Sequence, residues 1–257
     1  MANMLIEERR TAILRILNEQ HYAEVIDLAE AFGVTPVTIR RDLDEMDKEG
    51  LCIRKHGGAI INRSGVTLEM PYNLKRQEMV DEKARIAAYA ISLINDGNTF
   101  ILDSGSTTYA LALCLNAKDR ITVVTNDLKI TVKLAENPKI HLFCTGGLVR
   151  PSVFSLEGDL TESVINDMRV DMTFLGADAI HNNGRVSNVN IQEVPIKRAM
   201  IRACDKVILL ADSTKFLNRG FVQVCSLNDI DILITDKGIS EETYEMIKTY
   251  PLECVLV

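Results

Sequence analysis

The stretch Gly33-Val-Thr-Pro-Val-Thr-Ile-Arg-Arg-Asp-Leu43 carries the signals of a helix with a sharply defined start. Thr35 is expected to cap this helix, because a threonine hydroxyl can accept a hydrogen bond from an unpaired amide of the first turn. Pro36 then takes the first helical position, where its missing N–H costs nothing. Apolar residues recur at helical spacing as far as Gly50, which ends the run. These signals predict a helix over residues 36–49.

One face of this predicted helix is apolar, and the other carries hydroxyl and guanidinium groups. The apolar face consists of Ile39, Leu43 and Met46. Polar side chains on the opposite face can donate hydrogen bonds to the base edges and phosphates of DNA. The residues expected to contact DNA from the start, the exposed face and the flank of the helix are Thr35, Val37, Thr38, Arg40 and Arg41.

The residues before this stretch supply a second helix, predicted at about 24–32, whose apolar residues follow the spacing of a short packed helix. Ala29, Gly33 and Ile39 have the spacing of a tight helix-turn-helix. The small residue allows close approach, the glycine allows the turn, and the isoleucine seats the second helix. The pattern indicates a helix-turn-helix that binds double-stranded DNA. The alternative is a packed helical pair without a ligand, in which the arginines are simply solvated.

A basic hairpin follows the two helices. The segment Leu51-Cys-Ile-Arg-Lys-His-Gly-Gly-Ala-Ile-Ile61 has two short apolar runs around a predicted Gly57-Gly58 turn. Three further residues expected to contact DNA lie near its tip, namely Arg54, Lys55 and His56. With a first helix predicted at 4–19, the three helices and the hairpin make a winged helix-turn-helix domain over residues 1–62.

The charge balance counts against a nucleic-acid-binding domain until its distribution is considered. The net charge is −7, and residues 1–63 hold nine Lys/Arg against eleven Asp/Glu. The basic residues nevertheless cluster on the second helix of the pair and the segment after it, at Arg40, Arg41, Arg54, Lys55 and Arg63. The acidic residues of that helix are expected to point away from phosphates. A homo-oligomer, dimer or tetramer, is also expected, because two-fold pairing doubles the footprint on DNA.

Composition excludes several other classes of protein. The 257 residues suffice for one or two domains, and 47% hydrophobic with 25% charged residues is ordinary for a globular chain. No apolar run approaches the roughly 18 residues of a membrane span, and the N-terminus lacks a signal-peptide core. Six dispersed cysteines without a C-x-x-C motif predict buried, reduced thiols. We therefore expect a cytoplasmic protein with no metal or other cofactor and no membrane partner.

Here the sequence resembles a known family. Val37-Thr-Ile-Arg-Arg-Asp-Leu43, with Arg54 and His56-Gly-Gly-Ala59 in the wing, is similar to the DeoR family of bacterial sugar-metabolism repressors. The resemblance implies operator DNA as one partner and a phosphorylated sugar, bound by a C-terminal domain, as the other. His21-Tyr22-Ala23 departs from the family, whose members more often carry a Ser/Thr-type cap there, so the start of the second helix stays open.

Residues 63–75 lose periodicity and contain a glycine and a proline, which predicts a linker before a second domain over 76–257. Strands and helices then alternate, which predicts an α/β domain with a mostly parallel sheet wrapped by helices. By resemblance its fold is similar to that of ribose-5-phosphate isomerase. Helices are expected at about 78–94, 107–116, 127–136, 159–168, 191–204 and 240–249. Strands are expected at about 98–102, 121–125, 140–145, 171–177, 206–211, 221–225, 231–235 and 252–257.

The segment Asp103-Ser-Gly-Ser-Thr-Thr108 follows one predicted strand and opens a helix. Ligands of such sheets bind beyond the carboxyl ends of the strands, and helix-start amides attract a phosphate or another anion. The alternative is a plain helix capped by Ser and Thr. The segment is not a Walker A loop, since it has no Gly-Lys-Ser/Thr. The anion-site residues are Asp103, Ser104, Gly105, Ser106, Thr107 and Thr108.

Polar or glycine residues also follow the other predicted strands, at Thr125, Asn126, Gly146, Gly147, Asp178, Asp212 and Lys215. Carboxylates there suit sugar hydroxyls, and a lysine can neutralise a phosphate. Glu193 and Lys197 lie four apart on a helix and are candidate effector-binding residues, with a surface salt bridge as the alternative. The resemblance implies that residues 104–108 hold a phosphate and that Asp178, Glu193 and Lys215 face the sugar.

Two functions of different classes follow from these residues. The first is a DNA-binding transcriptional regulator, a repressor released by a phosphorylated sugar. The second is a sugar-phosphate isomerase in which Glu193 abstracts a proton and the N-terminal domain oligomerises the chain. Such isomerases continue from Gly-Ala-Asp into an acidic residue and a Lys-Gly-rich loop, whereas this chain has Ala179-Ile-His-Asn-Asn-Gly-Arg-Val186. The sequence therefore favours a pocket that binds without turnover.

Overall fold

The computed structural model describes residues 5–20, 22–61 and 72–257. The chain divides into two compact units, Met1–Lys75 and Arg76–Val257. In the described ranges, every helix is too short or too polar to cross a lipid bilayer.

The first unit is a winged helix-turn-helix. Its elements are α1 (Ile6–Gln20), β1 (Tyr22–Glu24), α2 (Val25–Phe32), α3 (Pro36–Lys48), β2 (Cys52–Lys55) and β3 (Gly58–Ile61). The three strands form an antiparallel sheet in the order β1-β3-β2. The three helices and the sheet enclose one apolar core, which includes Ile13, Leu17, Leu28, Ile39, Leu43, Met46 and Cys52.

The helix start and the turn before it are as predicted. The Thr35 hydroxyl accepts a hydrogen bond from the Thr38 amide at 3.3 Å, and Pro36 is the first residue of α3. Gly33 ends α2 with φ 63°, in the left-handed region that glycine adopts without a steric penalty. Local chemistry alone therefore fixes the turn between α2 and α3.

The wing differs from the prediction in two respects. Strand β1 was not predicted, and the turn lies at His56-Gly57 because Gly58 is the first residue of β3. A Cβ on Gly58 would lie 2.2 Å from the Ala23 carbonyl oxygen, so β1 can approach β3 this closely only because position 58 has no side chain. Helix α2 begins after Glu24, which makes no side-chain cap. A strand, rather than a side-chain cap, therefore leads the chain into α2.

The predicted linker over 63–75 is only partly described. Residues 62–71, with Arg63, lie outside the described residues. Residues 72–75 are helical rather than irregular, since α4 spans Tyr72–Gln77. Tyr72 is 2% exposed, and burial of so large a ring stabilises order at a position where the sequence loses its periodicity.

The second unit is built on a seven-stranded sheet in which every neighbouring pair is parallel. Its helices are α5 (Val80–Ala90), α6 (Ser106–Cys114), α7 (Leu128–Leu134), α8 (Asp159–Asn166), α9 (Glu193–Ala203) and α10 (Glu241–Ile247). Its strands are β4 (Thr99–Leu102), β5 (Ile121–Thr125), β6 (Ile140–Cys144), β7 (Leu148–Val149), β8 (Leu156–Glu157), β9 (Val170–Gly176), β10 (Ala179–Ile180), β11 (Arg185–Asn188), β12 (Cys204–Leu210), β13 (Val222–Ser226), β14 (Ile232–Thr235) and β15 (Glu253–Leu256). The strand order is β15-β14-β12-β9-β4-β5-β6, which confirms the predicted α/β class.

Helices cover both faces of this sheet, so successive residues of a strand enter different cores. Phe100 and Phe174 pack edge to face on one side, with ring centroids 5.7 Å apart. Ile101 and Leu175, one residue further along the same strands, belong to the core on the other side. Burial of both faces explains the nearly continuous apolar strands of the sequence.

Three features of the second unit depart from the expectations. The strand expected at 221–225 is β13, which lies in a small antiparallel sheet with β10 and β11 rather than in the parallel sheet. Strands β7 and β8 form a hairpin that was not predicted, and β10 and β11, the other two strands of the small sheet, were not predicted either. Cys144 is exposed, because it ends β6 at the edge of the sheet, whereas Cys52, Cys204 and Cys225 are buried as expected.

Candidate DNA-binding face and effector site

The exposed face of α3 carries two arginines without internal partners. Arg40 and Arg41 are exposed, and neither forms an ion pair or hydrogen bond with any residue that the structure describes. Val37 is 69% exposed beside them. Thr38 is half-buried, and its hydroxyl lies 3.0 Å from that of Thr35. The face therefore presents two free guanidinium groups and an apolar side chain.

A buried ion pair neutralises the first acidic residue of α3. Asp42 is 3% exposed and accepts a hydrogen bond from Arg9 Nε at 2.6 Å, and Arg10 Nε lies 3.5 Å from its other oxygen. Both arginines come from α1, so the pair ties α1 to α3. The sequence did not reveal this contact, because nothing in the local pattern joins positions 33 residues apart.

Arg54 serves the wing itself. Its Nε donates to Asp44 at 2.9 Å, and Nη1 donates to the Gly58 carbonyl at 2.6 Å. Its backbone amide donates to Asp47 Oδ1 at 3.1 Å. These bonds fasten β2 to α3, and the guanidinium offsets the negative charge of Asp44.

Lys55 and His56 remain at the tip of the wing. Both side chains are exposed, on either side of the point where β2 ends. With Arg54 engaged, Lys55 supplies the free positive charge of the hairpin among the three predicted DNA-contacting residues.

In the second unit, the segment after β4 lies at the carboxyl edge of the sheet. Asp103 is 1% exposed, and its Oδ2 accepts a hydrogen bond from the Gly176 amide at 2.9 Å. The same oxygen pairs with Lys197, whose Nζ also donates to the Gly176 carbonyl at 3.1 Å. This buried pair joins α9 to the ends of β4 and β9.

The environment of Lys197 keeps the lysine charged. Burial lowers the pKa of Lys197, but the negative charges of Asp103 and Glu193 raise it more, so the pKa lies above its ordinary value. Lys197 and Glu193 are therefore not the surface salt bridge that the sequence left open: Lys197 is 3% exposed and pairs with Asp103.

Ser104 is held by the segment that follows β5. Its amide donates to Asn126 Oδ1 at 3.1 Å, and its hydroxyl donates to Asp127 Oδ2 at 2.9 Å. Asp127 also caps α7, since its Oδ1 accepts from the Lys129 and Ile130 amides. Burial raises the pKa of Asp127, although hydrogen bonds from Ile130 and Ser104 act in the opposite direction. Asp127 was missing from the sequence prediction, although an Asp before an apolar helix is a recognisable cap.

The first turn of α6 offers two hydroxyls that have no hydrogen-bond partner in the described part of the chain. Gly105 precedes the helix in an extended conformation, and its carbonyl accepts the Thr108 hydroxyl at 2.9 Å. The Ser106 and Thr107 side chains are 8% and 6% exposed and form no hydrogen bond with any other described residue. Together with the unpaired amides of this turn, they form a set of donors at a helix N-terminus.

Glu193 opens α9 and is held from two directions. Arg150, from the β7–β8 hairpin, donates to its Oε1 at 2.6 Å, and Asn188, the last residue of β11, donates to its Oε2. The side chains of Arg150 and Glu193 are 16% and 12% exposed. Neither Arg150 nor Asn188 was predicted: Arg150 lies 43 residues from Glu193, and Asn188, although only five residues away, reaches it through the path of the chain from β11 into α9.

Asp178 and Asp212 shape the loops that follow β9 and β12. Asp178 Oδ2 accepts from the Val189 amide at 3.0 Å. Asp212 Oδ1 accepts from the Thr214 amide at 3.2 Å, and Lys215 Nζ lies 3.9 Å from Asp212 Oδ2. The structure thus brings both aspartates and the lysine to the same edge of the sheet as Asp103.

Thr125, Gly146 and Gly147 have packing roles. The Thr125 hydroxyl donates to the Leu102 carbonyl at 2.8 Å. A Cβ on Gly147, at φ 125°, would lie 2.1 Å from the hydroxyl oxygen of Thr161 in α8, so this position requires glycine. Among the residues that the structure describes, no cluster of three or more His, Cys, Asp or Glu side chains could hold a metal ion.

Comparison with known proteins covers both units. Residues 9–65 match the DeoR-like helix-turn-helix domain, and residues 78–237 match the DeoR C-terminal sensor domain. Solved structures are less similar. Ribose-5-phosphate isomerase A of Methanocaldococcus jannaschii matches with a TM-score of 0.39 and 16% identity, over 53% of this chain and 54% of that chain. RipA of Yersinia pestis matches with a TM-score of 0.47 and 16% identity, over 71% of this chain and 51% of that chain. Both TM-scores are below 0.5, so the fold assignment rests on the strand order.

Relatives with matching sequences are regulators. The chain is 34% identical to the HTH-type transcriptional regulator YulB of Bacillus subtilis, over 92% of this chain and 91% of the relative. It is 32% identical to the transcriptional regulator GolR of Listeria innocua, over 93% of both chains. It is 31% identical to the glycerol-3-phosphate regulon repressor of Escherichia coli K12, over 89% of this chain and 90% of the relative. These relatives support the regulator over the isomerase alternative, and the chain belongs to the DeoR family of DNA-binding transcriptional regulators.

Proposed function

We propose that this regulator represses a carbohydrate-utilisation operon in the cytoplasm and that a phosphorylated sugar releases it from operator DNA. The observation that carries the proposal is the first turn of α6, where the hydroxyls of Ser106 and Thr107 have no partner among the described residues. A helix N-terminus with free amides and hydroxyls favours an anion, and a phosphate is the anion best matched to several donors.

The roles at the anion site divide between binding and support. Ser106 and Thr107 contact the phosphate, while Ser104 is held by Asp127 and keeps the loop in place. Gly105 and Thr108 complete the turn through their mutual hydrogen bond.

The sugar lies across the carboxyl edge of the sheet in this proposal. Asp178 and Glu193 accept hydrogen bonds from its hydroxyls, and Lys215, which is only loosely paired at 3.9 Å, adds positive charge. Asp103 and Lys197 form the floor of the site, because their ion pair is too deeply buried to exchange partners cheaply. Thr125, Asn126, Gly146 and Gly147 support the surrounding loops.

At the other unit, Arg40 and Arg41 read the DNA from α3, with Thr35, Val37 and Thr38 at the protein–DNA contact. Lys55 and His56 touch the backbone from the wing, and Arg54 holds the wing against α3. We also propose a dimer or tetramer, since residues 1–63 alone have no excess of positive charge. Sedimentation analysis would give a mass of at least two chains; a monomer at micromolar concentration would contradict this part.

A ligand can release DNA only if it binds the DNA-free form more tightly than the DNA-bound form. The name of one relative, the glycerol-3-phosphate regulon repressor, supports a phosphorylated carbohydrate metabolite as that ligand. The experiment is a binding titration of the full chain with a DNA fragment selected from random sequence, followed by fluorescence anisotropy. Ribose 5-phosphate, fructose 6-phosphate and sn-glycerol 3-phosphate are added in turn.

The matched controls are the same three compounds without phosphate. We expect release by at least one phosphorylated compound and no release by ribose, fructose or glycerol. Release by an unphosphorylated compound at equal concentration would contradict the phosphate assignment. Failure to select any preferred DNA sequence would contradict operator binding itself.

A further inference from the structure

Asn188 carries a buried hydrogen-bond acceptor that no described residue uses. The residue is 3% exposed, and its Oδ1 has no hydrogen-bond partner among the described residues. A buried polar atom without a partner is costly, and native structures contain few of them. Such an atom indicates a group that is satisfied by something outside the chain.

The orientation of the Asn188 amide is fixed by its neighbour. Its Nδ2 donates to Glu193 Oε2, and a carboxylate can only accept. Turning the amide over would set two oxygens against each other. The unpartnered atom is therefore an oxygen, and only a donor such as a hydroxyl can satisfy it.

Asn188 lies among the residues proposed to face the sugar. The next residue, Val189, donates its amide to Asp178 Oδ2 at 3.0 Å, and Asn188 itself binds Glu193. Arg150 binds the other oxygen of the same Glu193 carboxylate at 2.6 Å. One carboxylate thus brings an amide and a guanidinium side by side at the proposed sugar site.

The β7–β8 hairpin, which carries Arg150, is hydrogen-bonded through Asn126 to the proposed phosphate-binding segment 103–108. The Leu156 amide donates to the Asn126 carbonyl at 2.7 Å, and the Asn126 side chain accepts from Ser104 at 3.1 Å. On the other side, Glu193 and Lys197 share α9, and Lys197 pairs with Asp103 at the start of the loop. Two sets of contacts therefore connect the Asn188–Glu193 pair with segment 103–108, one through the β7–β8 hairpin and one through α9. Such connections are expected if the two regions are the two ends of one binding site.

We infer that Asn188 selects the hydroxyl-bearing end of the effector: its Oδ1 accepts a hydrogen bond from a sugar hydroxyl, while Arg150 holds Glu193 for a second one. The inference rests on the proposed function, because it places the sugar between the Glu193 carboxylate and the start of α6. It assigns to Asn188 and Arg150 a specificity role that the phosphate site cannot supply, since every phosphorylated metabolite offers the same phosphate.

The test compares inorganic phosphate with phosphorylated compounds that also carry carbon-bound hydroxyl groups. Isothermal titration of the full chain measures the dissociation constants of inorganic phosphate, ribose 5-phosphate, fructose 6-phosphate and sn-glycerol 3-phosphate. Asn188→Leu keeps the branching of the side chain but removes the acceptor, together with the Nδ2 donor to Glu193. We expect the tightest sugar phosphate to bind about tenfold more weakly, because its hydroxyl is buried without an acceptor, and inorganic phosphate to bind unchanged.

Two controls keep the outcome interpretable. Asn116→Leu makes the same change at an exposed position at the far end of α6 and should change neither dissociation constant. Asn188→Ala serves if the leucine variant does not fold. Unchanged affinity for the sugar phosphates in the Asn188 variants overturns the inference, and so does an equal loss for inorganic phosphate. If the unmodified chain binds none of the four probes, the proposed function fails and the inference fails with it.

Discussion

The buried carboxyl of Asp127, which holds Ser104, should make the stability of the folded chain depend on pH. Burial holds its pKa above the ordinary 3.8. The folded chain therefore binds this proton more tightly than the unfolded chain does. The resulting stabilisation is present below about pH 4 and is lost as the pH rises through the folded-state pKa.

Asp127→Asn removes that titration and keeps an oxygen that can accept from the α7 amides. The variant's free energy of unfolding, relative to the unmodified chain, should rise between about pH 4 and pH 7. Urea unfolding at four pH values measures this difference. A difference that stays constant with pH, or one that falls, would show that Asp127 does not titrate as its burial requires.

Substitutions of Arg41 and Lys55 should separate the contribution of base contacts to DNA affinity from that of phosphate contacts. Arg41→Ala should weaken binding to the selected DNA by about 1–3 kcal/mol and relax its sequence preference, if the guanidinium contacts a base. Lys55→Ala should weaken binding to all sequences alike and lower the salt slope by about one. Titrations at several salt concentrations on selected and scrambled DNA give both quantities. Equal affinity of both variants and the unmodified chain would refute the DNA-binding face.

At this scale, the sequence predicted what local chemistry determines and missed what the fold brings together. Thr35 and Pro36 could be placed because a cap and a first-turn proline act within four residues. Asn188 could not, because its partner Glu193 depends on the path from β11 into α9. Arg150 lies 43 residues from the same carboxylate. Nothing short of the tertiary structure connects them.

Among the elements, the wing depends most on a single position. Gly58 lets β1 approach β3, and Gly58→Ala would set a Cβ 2.2 Å from the Ala23 carbonyl oxygen. We expect β1 to separate from the wing and DNA affinity to fall at least about tenfold, since a backbone atom cannot yield as a side chain would. Fluorescence anisotropy with the selected DNA measures this loss.

Gly57→Asn is the matched control, because asparagine tolerates the left-handed conformation that Gly57 adopts at φ 81°. The sugar-phosphate affinity of both variants should equal that of the unmodified chain, because the second unit is untouched. A Gly58→Ala chain with full DNA affinity would mean that β1 is dispensable for the wing.

Element length explains which strands could be predicted. The strands of the parallel sheet have four to seven residues, mostly apolar because both faces are covered, and each was recognised. Strands β7, β8 and β10 have two residues each, too few to establish a period of two, and β11 (Arg-Val-Ser-Asn) has four residues but only one apolar side chain. Pairing partners, which no local pattern records, decide such short strands. The hairpin that carries Arg150 was lost for this reason.

For the whole molecule, net charge is a poor guide to function. Ion pairs such as Asp42 with Arg9 and Asp44 with Arg54 already cancel within the total of −7, so the sum does not say where the unpaired charges lie. Phosphates respond to the charges that remain free, which on the first two turns of α3 are Arg40 and Arg41. The distribution of free charge, rather than its sum, makes an acidic protein able to bind DNA.

Sensing and DNA reading belong to different units of the chain, so one residue should remove the first without the second. Thr107→Glu sets a carboxylate where the phosphate is proposed to bind, and like charges in a confined site repel. The expected variant binds the selected DNA normally but is no longer released by the sugar phosphate that releases the unmodified chain. Thr107→Gln, with nearly the same shape and no charge, should keep part of the response. A glutamate variant released at the ordinary ligand concentration would mean that the phosphate binds elsewhere, and loss of DNA binding would mean that Thr107 supports the fold.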